Sequence, residues 1–175
     1  KHEKTWKSAL ETVFTVLHAG GKFDKETYKV SWGLHGVGAS VVNALSERLE
    51  VRIHKGWKIY FQRYEKWKPV SELEVIGETQ KSGTVVSFKP DATIFDTIEF
   101  LEETEILRMK QGAYLTPKVS FTLINEKNWN KQRFFYEWGI NTRLNNIIGK
   151  QSRLWKAHYI NQEWENCLVE IALQF

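Results

Sequence analysis

The sequence has little of what marks a disulfide-linked or zinc-binding protein. It contains a single cysteine, Cys167, which cannot form an internal disulfide. This cysteine lies in a run where apolar and polar residues alternate, so we interpret it as a thiol packed in a strand. The five histidines are scattered at His2, His18, His35, His54 and His158. Because they do not stand at the spacing of zinc ligands, we predict no zinc site.

A long apolar run is also missing. No stretch reaches the roughly 18 apolar residues that a membrane-spanning helix needs. The first twenty residues mix charges throughout, unlike a secretory signal. With 42% apolar residues over 175 positions, the chain is long enough for one sizeable core. We therefore predict a globular cytoplasmic protein with no membrane partner.

No block of one charge sign is present. The net charge is +4, and 25 Lys and Arg residues are dispersed among 21 acidic ones. This balance permits a polyanionic partner without requiring one. A DNA-binding domain, with exposed aromatic side chains that stack on bases, stays open as one reading.

The first part of the chain predicts two helices joined by a glycine-rich loop. Apolar residues recur at helical spacing from Ser8 to His18, and Gly20-Gly21 supply a stop signal. Residues 20–38 contain five glycines among polar residues, which is typical of a loop. Ser40 can cap a second helix that runs to Leu49, because apolar residues repeat along one face.

Alternation of apolar residues predicts strands further along. Residues 49–65 predict a β-hairpin that turns at Lys55-Gly56. The remaining predicted elements are strands at 85–89, 119–125 and 133–137, an acidic helix at 97–109, a helix that ends at Gly149, and a terminal strand that contains Cys167 and Val169. The pattern changes near residue 138, where we predict that a second domain begins.

The segment from Gly33 to Ser40 carries the clearest chemical signal. Its three glycines leave backbone N–H groups unobstructed just before a helix N-terminus, where free donors and the helix dipole attract phosphate. A flexible glycine turn is the alternative. The segment is not a P-loop, because Gly21-Lys22 is not followed by Ser or Thr. A dinucleotide fingerprint is excluded too, since Val41 stands where a third glycine is required.

Two cations and an aromatic residue lie in the same loop. Lys22 and Lys29 carry the charge to neutralise a phosphate, and Tyr28 can stack on a base. Solvated loop lysines are the alternative interpretation.

Longer motifs resemble one known family. Residues 17–23 read LHAGGKF, and residues 33–46 read GLHGVGASVVNALS. Both closely resemble the signature of the B-subunit of bacterial type II DNA topoisomerases, the family of gyrase and topoisomerase IV. The likeness continues through residues 82–84, 88–91 and 169–174, so it covers nearly the whole chain.

The resemblance implies an α+β fold, a partial two-layer α/β sandwich of the GHKL ATPase type followed by the start of a transducer domain. Residues 1–137 would be the C-terminal part of the ATPase domain with its ATP lid, and residues 138–175 the start of the transducer. By this likeness the nucleotide-binding residues are Lys22, Tyr28, Lys29, Gly33, Leu34, His35, Gly36, Val37, Gly38, Ala39 and Thr84. Residues 33–39 would wrap the triphosphate, and Thr84 would lie near the adenine.

In the intact protein, the resemblance implies ATP hydrolysis coupled to DNA strand passage and supercoiling. ATP and Mg²⁺ are the implied cofactors; the implied partners are DNA, a second copy of the B-subunit, plus the A-subunit of the topoisomerase. The family's general base and its magnesium and adenine ligands lie upstream of this segment, and its transducer lysine lies downstream. We therefore expect no catalytic residue here, a Mg²⁺ ligand outside this segment, and no ATP turnover by the segment alone. An inactive nucleotide-binding or dimerisation module is the alternative.

Tryptophan stands where this family has glycine. The position of Trp32 is glycine in the family, and glycine is usual near Trp57, Trp67 and Trp138. A tryptophan held at positive φ costs on the order of 1 kcal/mol or more. Trp57 and Trp67 fall at predicted hairpin turns, where local rearrangement would relieve that strain.

Overall fold

The structure is a computed structural model that describes residues 7–19, 35–149, 157–164 and 167–174. Contacts divide the chain into two compact units, Lys1–Glu99 and Phe100–Phe175. The predicted domain boundary at residue 138 lies inside the second of these units. That assignment to an ATPase domain and a transducer stays a prediction.

An antiparallel sheet with two short helices against one face forms the first unit. Its elements are α1 (Ala9–Thr15), α2 (Gly38–Ala44), β1 (Ser46–Lys55), β2 (Lys58–Glu65), β3 (Lys68–Pro69), β4 (Glu74–Glu78) and β5 (Gly83–Pro90). Strand β1 lies between β2 and β5, and β2 pairs with β3 and β4 on its other side. The predicted hairpin at 49–65 and the strand at 85–89 are confirmed.

Helix α1 begins where the sequence predicts. The Ser8 hydroxyl accepts a hydrogen bond from the Glu11 backbone N–H at 2.9 Å, which caps the first turn. The helix ends at Thr15, earlier than predicted, because Val16 adopts extended dihedrals. The predicted stop at Gly20-Gly21 lies outside the described residues.

Helix α2 is shorter than predicted. It starts at Gly38 and ends at Ala44, whereas the sequence suggested a helix from Ser40 to Leu49. Leu49 fits both a helical stripe and a strand alternation. The strand prevails because Leu49 is completely buried and pairs with β2 on one side and β5 on the other. Hydrogen bonding on both edges, together with burial of alternate residues, stabilises β1 more than an extension of α2 to Leu49 would.

The core of this unit lies between the helices and the sheet. Phe14 from α1 packs on Leu49, Val51 and Tyr64, all of them buried. The rings of Phe14 and Tyr64 stack with their centroids 5.7 Å apart. Burying each such side chain contributes about 1.5–3 kcal/mol, so α1 is held to the sheet mainly by this cluster.

Two hairpins and two helices form the second unit. Its elements are α3 (Glu102–Leu115), β6 (Ser120–Asn125), β7 (Asn130–Phe135), α4 (Gly139–Ile148), β8 (His158–Trp164) and β9 (Cys167–Leu173). β6 pairs with β7 and β8 with β9, both antiparallel. Strands β6 and β9 and the helix stop at Gly149, where φ is +59°, agree with the sequence prediction.

The acidic helix is displaced from its predicted span of 97–109. Leu101 is extended and serves as the N-cap, so α3 starts at Glu102. Three glutamates then occupy the first turn, where the helix dipole favours negative charge. The helix continues past residue 109 because Gly112 and Ala113 are buried in the unit.

Glu102 also ties α3 to the turn between β6 and β7. Its carboxylate accepts hydrogen bonds from the side-chain amides of Asn125, Asn128 and Asn130. These bonds, led by that from Asn125, hold the pKa of Glu102 below its usual range.

Among the described helices, none is long and apolar enough to span a membrane.

Candidate functional site

The predicted site falls partly outside the described residues. Lys22, Tyr28, Lys29, Gly33 and Leu34 lie there, and their assignments stay predictions. The other six predicted residues are described. Five of them, His35 to Ala39, are consecutive and form the entrance to α2.

This entrance has the backbone of an anion-binding turn. Gly36 has a φ of +63°, a conformation that favours glycine, and Val37 is the N-cap of α2. Within the described part of the chain, Val37 makes no side-chain capping hydrogen bond. Since the first N–H groups of a helix have no intrahelical acceptor, those of Gly38 and Ala39 can serve a ligand.

Gly38 faces open space. A Cβ built at this position meets no heavy atom of the described residues within 4 Å. A larger side chain there is therefore compatible with the described part of the fold but would occupy the space in front of the helix. This opening is the part of the entrance that a phosphate group can approach.

Buried contacts of Ser40 and Ala39 hold the entrance to α2 in place. Ser40 is fully buried, and its hydroxyl donates to the Val37 carbonyl at 3.0 Å. The predicted capping role of Ser40 is therefore wrong, because the residue lies inside the first turn. Ala39 packs against the core cluster, which anchors α2 to the sheet.

His18 and His35 join the two described ends of the glycine-rich segment. The Nδ1 atom of His18 donates to the His35 carbonyl at 2.8 Å. His18 has a φ of +57°, so the chain turns sharply just after α1. This bond sets where the chain enters α2 relative to where it leaves α1.

Asn43 is a buried polar residue on the sheet side of α2. Its side-chain amide donates to the Phe14 carbonyl at 2.9 Å and to the Trp67 carbonyl at 3.1 Å. It thus joins α2 to α1 and to the turn between β2 and β3. Sequence reasoning did not single out Asn43. The available signal was a lone amide inside the apolar run from Val41 to Leu45.

Thr84 lies on another element. It is exposed on β5, opposite Ile53 of β1. Among the described residues, no hydrogen bond connects Thr84 to the entrance of α2. The structure therefore brings His35 to Ala39 together but does not join Thr84 to them, and its place near an adenine stays a prediction.

Asp91 is a second buried polar group, and it ends the stretch 88–91 that resembles the family. The backbone N–H and the hydroxyl of Thr93 donate to its Oδ1 atom at 2.9 and 2.7 Å. The Nζ atom of Lys66 lies 3.4 Å from Oδ2. These Thr93 bonds, with a smaller contribution from the Lys66 charge, lower the pKa of Asp91. The Asp91 backbone N–H also donates to the Leu45 carbonyl, which fixes β5 to the end of α2.

A shallow groove of about 710 Å³ lies on the first unit. Five cations line it: Arg48, Arg63, Lys66, Lys68 and Lys89. Carboxylates offset much of this charge, since Lys89 pairs with Glu47 at 2.8 Å and Lys66 with Asp91. The groove is therefore a weak attractor for anions compared with an unpaired cationic patch.

The described residues contain no group of three or more His, Cys, Asp or Glu side chains that could hold a metal ion. The predicted Mg²⁺ ligand was placed outside this segment, and that placement stays a prediction.

Known proteins resemble this chain closely, although no family model matches it. It is 55% identical over 139 residues to the DNA gyrase B-subunit of Thermotoga maritima, covering 79% of this chain and 22% of the relative. It is 45% identical over 173 residues to the DNA gyrase B-subunit of Archaeoglobus fulgidus, covering 97% and 27%. The type 2 topoisomerase B-subunit of Aquifex aeolicus is 43% identical over 175 residues, covering 99% and 22%.

A solved structure shares the fold. The 43K ATPase domain of Thermus thermophilus gyrase B, crystallised with an aminocoumarin, matches with a TM-score of 0.78 and 25% identity. The match covers 95% of this chain and 42% of that one. The fold is thus the predicted GHKL ATPase type.

With this fold and these relatives, the chain belongs to the B-subunit family of type II DNA topoisomerases. It spans about a quarter of the length of the curated relatives it matches.

Proposed function

We propose that this chain supplies the triphosphate-binding part of the ATPase of a type II topoisomerase B-subunit. Residues 1–137 belong to the ATPase domain in this proposal, and residues 138–175 begin the transducer. The observation that carries the proposal is the entrance to α2, where Gly36 turns at positive φ and Gly38 opens a helix without a side-chain cap.

The entrance fits the phosphates of ATP. A triphosphate needs several N–H donors on one side and space for its oxygens. The backbone of His35 to Ala39 offers the donors, and the empty volume at Gly38 offers the space. Bound ATP would bring the γ-phosphate that the intact enzyme hydrolyses; this segment's contribution is to bind and orient it.

The remaining predicted residues complete this proposal. Gly33 and Leu34 extend the phosphate loop, Lys22 and Lys29 neutralise charge, Tyr28 approaches the nucleotide, and Thr84 lies near the adenine. The Mg²⁺ ligand and the general base belong to parts of the protein outside this segment. For that reason we expect the isolated chain to bind ATP without hydrolysing it.

In the whole protein, ATP binding and hydrolysis drive DNA strand passage and supercoiling. The partners are DNA, a second copy of the B-subunit, plus the A-subunit of the topoisomerase. An enzyme that acts on bacterial DNA works in the cytoplasm, which is the location we propose.

Titration of the chain with a fluorescent non-hydrolysable ATP analogue tests the site. Gly38→Val should abolish saturable binding, because its side chain fills the space in front of α2 without a clash with the described residues. The control is Val41→Ala, on the same helix beyond its first turn. Equal binding by both variants would contradict the proposed phosphate loop.

The hydrolysis proposal needs the full-length protein. The wild-type protein should release phosphate from ATP, and the full-length Gly38→Val variant should not. If the full-length protein binds the analogue but never releases phosphate, the inactive-module alternative replaces the enzyme.

A further inference from the structure

Three tryptophans stand on backbone that is built for glycine. Trp57 has a φ of +64°, Trp67 of +79° and Trp129 of +58°. L-residues with a Cβ rarely adopt this region, and a bulky side chain there is a true outlier. We propose that these positions are glycine sites and that the protein, where it is naturally made, carries glycine at all three.

The other aromatic residues provide an internal comparison. The chain has ten Phe and six Tyr against eight Trp. Of the residues that the structure describes, six non-glycine ones have positive φ; three are Trp, and none is Phe or Tyr. Among these described residues, positive φ is therefore associated with tryptophan and not with aromatic side chains in general.

Trp57 occupies a glycine position in a two-residue turn. Lys55 pairs with Lys58, so Gly56 and Trp57 alone connect β1 to β2, and both have positive φ. A two-residue loop with this pattern is a type I′ turn, for which Asn-Gly and Gly-Gly are the favoured sequences. The Trp57 carbonyl accepts from the Thr79 N–H at 3.1 Å, so the backbone here is held in place.

The next turn repeats the pattern. Glu65 pairs with Lys68, which leaves Lys66 and Trp67 as the two loop residues, again both at positive φ. The Trp67 carbonyl accepts the buried Asn43 amide, which fixes this backbone conformation from within the core. What the fold requires at position 67 is therefore a backbone with positive φ.

The third position ends a hairpin loop in the second unit. Asn125 pairs with Asn130, and Trp129 at positive φ is the last residue before β7. Hairpin loops of this kind commonly finish on a residue in the left-handed region, where glycine is preferred.

Burial gives a second, independent observation. Trp57 is 70% exposed and Trp129 is 78% exposed. Tryptophan is ordinarily among the more buried residues. In this chain the described core contains Phe14, Tyr64 and Phe134 instead. The indoles of Trp57 and Trp129 therefore contribute little packing that would offset the strained backbone, whereas Trp67 is half-buried.

The genetic code accounts for the exchange of these two amino acids. UGG and, in some codes, UGA specify tryptophan, and their first-base neighbours GGG and GGA specify glycine. UGA does not have one meaning in all organisms. In this proposal the codon UGA encodes positions 57, 67 and 129, and the producing cell translates it as glycine. Translation of the same codon as tryptophan gives the indoles at these positions.

Mass spectrometry of the protein from its natural cell tests this directly. Cleavage after glutamate releases peptides 51–65, 66–72 and 127–137, each with one of the three positions. Each peptide should have the mass and fragment series of glycine at that position, and each gene codon should be UGA. Tryptophan in these peptides, or UGG codons, would overturn the proposal.

A second experiment tests the glycine sites on recombinant chain. Trp57→Gly, Trp67→Gly and Trp129→Gly should each raise the urea midpoint of unfolding. Trp57→Ala, Trp67→Ala and Trp129→Ala are the matched controls, because alanine removes the indole but keeps the Cβ that disfavours positive φ. A lower midpoint in the three glycine variants, or an equal gain in the alanine variants, would overturn the argument from backbone geometry. Neither experiment depends on nucleotide binding, so its outcome is separable from that of the proposed function.

Discussion

The side-chain amide of Asn43 donates to the carbonyl of Phe14 at 2.9 Å, and this buried bond joins α2 to α1. Asn43 is completely buried, and the same amide also reaches Trp67. The orientation of α2 therefore depends on a polar contact as well as on apolar packing.

Asn43→Ala should destabilise the first unit. It leaves the buried carbonyl of Phe14 and the partly buried carbonyl of Trp67 without this donor, at a cost of roughly 1–3 kcal/mol. The free energy of unfolding in urea measures the loss. Asn145→Ala, at an exposed position of α4, is the control and should change stability by less than about 0.5 kcal/mol. A loss of equal size in both variants would contradict the bridging role.

The elements that the sequence predicted well have strong local signals. Helix α1 has a Ser8 cap and an apolar stripe, and α4 ends at Gly149; each of these signals is read within one or two turns. The β1–β2 hairpin follows from alternation around a glycine turn. The fold family followed from long motifs at residues 17–23 and 33–46.

Other elements depend on distant partners. The end of α2 was mispredicted because Leu49 fits a helix and a strand equally well, and only pairing with β2 and β5 decides between them. Strand β4, which the sequence did not predict, is a mostly exposed edge strand that forms against β2. The residues of β4 do not alternate between buried and exposed, so the sequence lacks the alternation that indicates a strand.

The residues of the candidate site also differ in whether local sequence indicates them or distant partners position them. The sequence indicated His35 to Ala39 through closely spaced glycines, and their nucleotide-binding role stays a prediction. Asn43 and Asp91 were missed as structural supports, since their partners lie far along the chain. The bond from Asn43 to Phe14 spans 29 positions. The expected relief of strain at Trp57 and Trp67 did not occur, because paired strands on both sides of each turn fix its φ angles.

Acid should weaken the first unit through Asp91. Its folded pKa is lowered, so its ionised form contributes stability above the ordinary aspartate pKa, and that contribution is lost as the pH falls through the folded pKa. Asp91→Asn should therefore lower the urea midpoint near neutral pH and flatten its decline between neutral and acidic pH. Asp96→Asn, the same change at an exposed carboxylate, should leave that decline as in the wild type.

Glu102→Gln should loosen the β6–β7 hairpin. The glutamine has one acceptor oxygen for the three asparagine amides that the carboxylate now serves. Faster amide hydrogen exchange across residues 120–135 is the expected readout at neutral pH. Glu103→Gln removes the same charge from the same helical turn and should leave exchange in the hairpin unchanged. If amide exchange in the hairpin is equally fast in the two variants, the loss of a negative charge near the helix N-terminus would explain the change, and the hydrogen bonds to the asparagines would not.

Trp32→Gly should raise the affinity of the chain for an ATP analogue. Trp32 directly precedes Gly33, at a position where the family has glycine, so we expect the larger side chain to hinder a loop that we propose to wrap a triphosphate. If the indole costs on the order of 1 kcal/mol, the dissociation constant should fall about fivefold. Trp129→Gly is the control, because it makes the same exchange in the second unit and should leave the dissociation constant unchanged. Isothermal titration of both variants separates the outcomes, and an unaltered constant in Trp32→Gly would mean that only the later glycines contact phosphate.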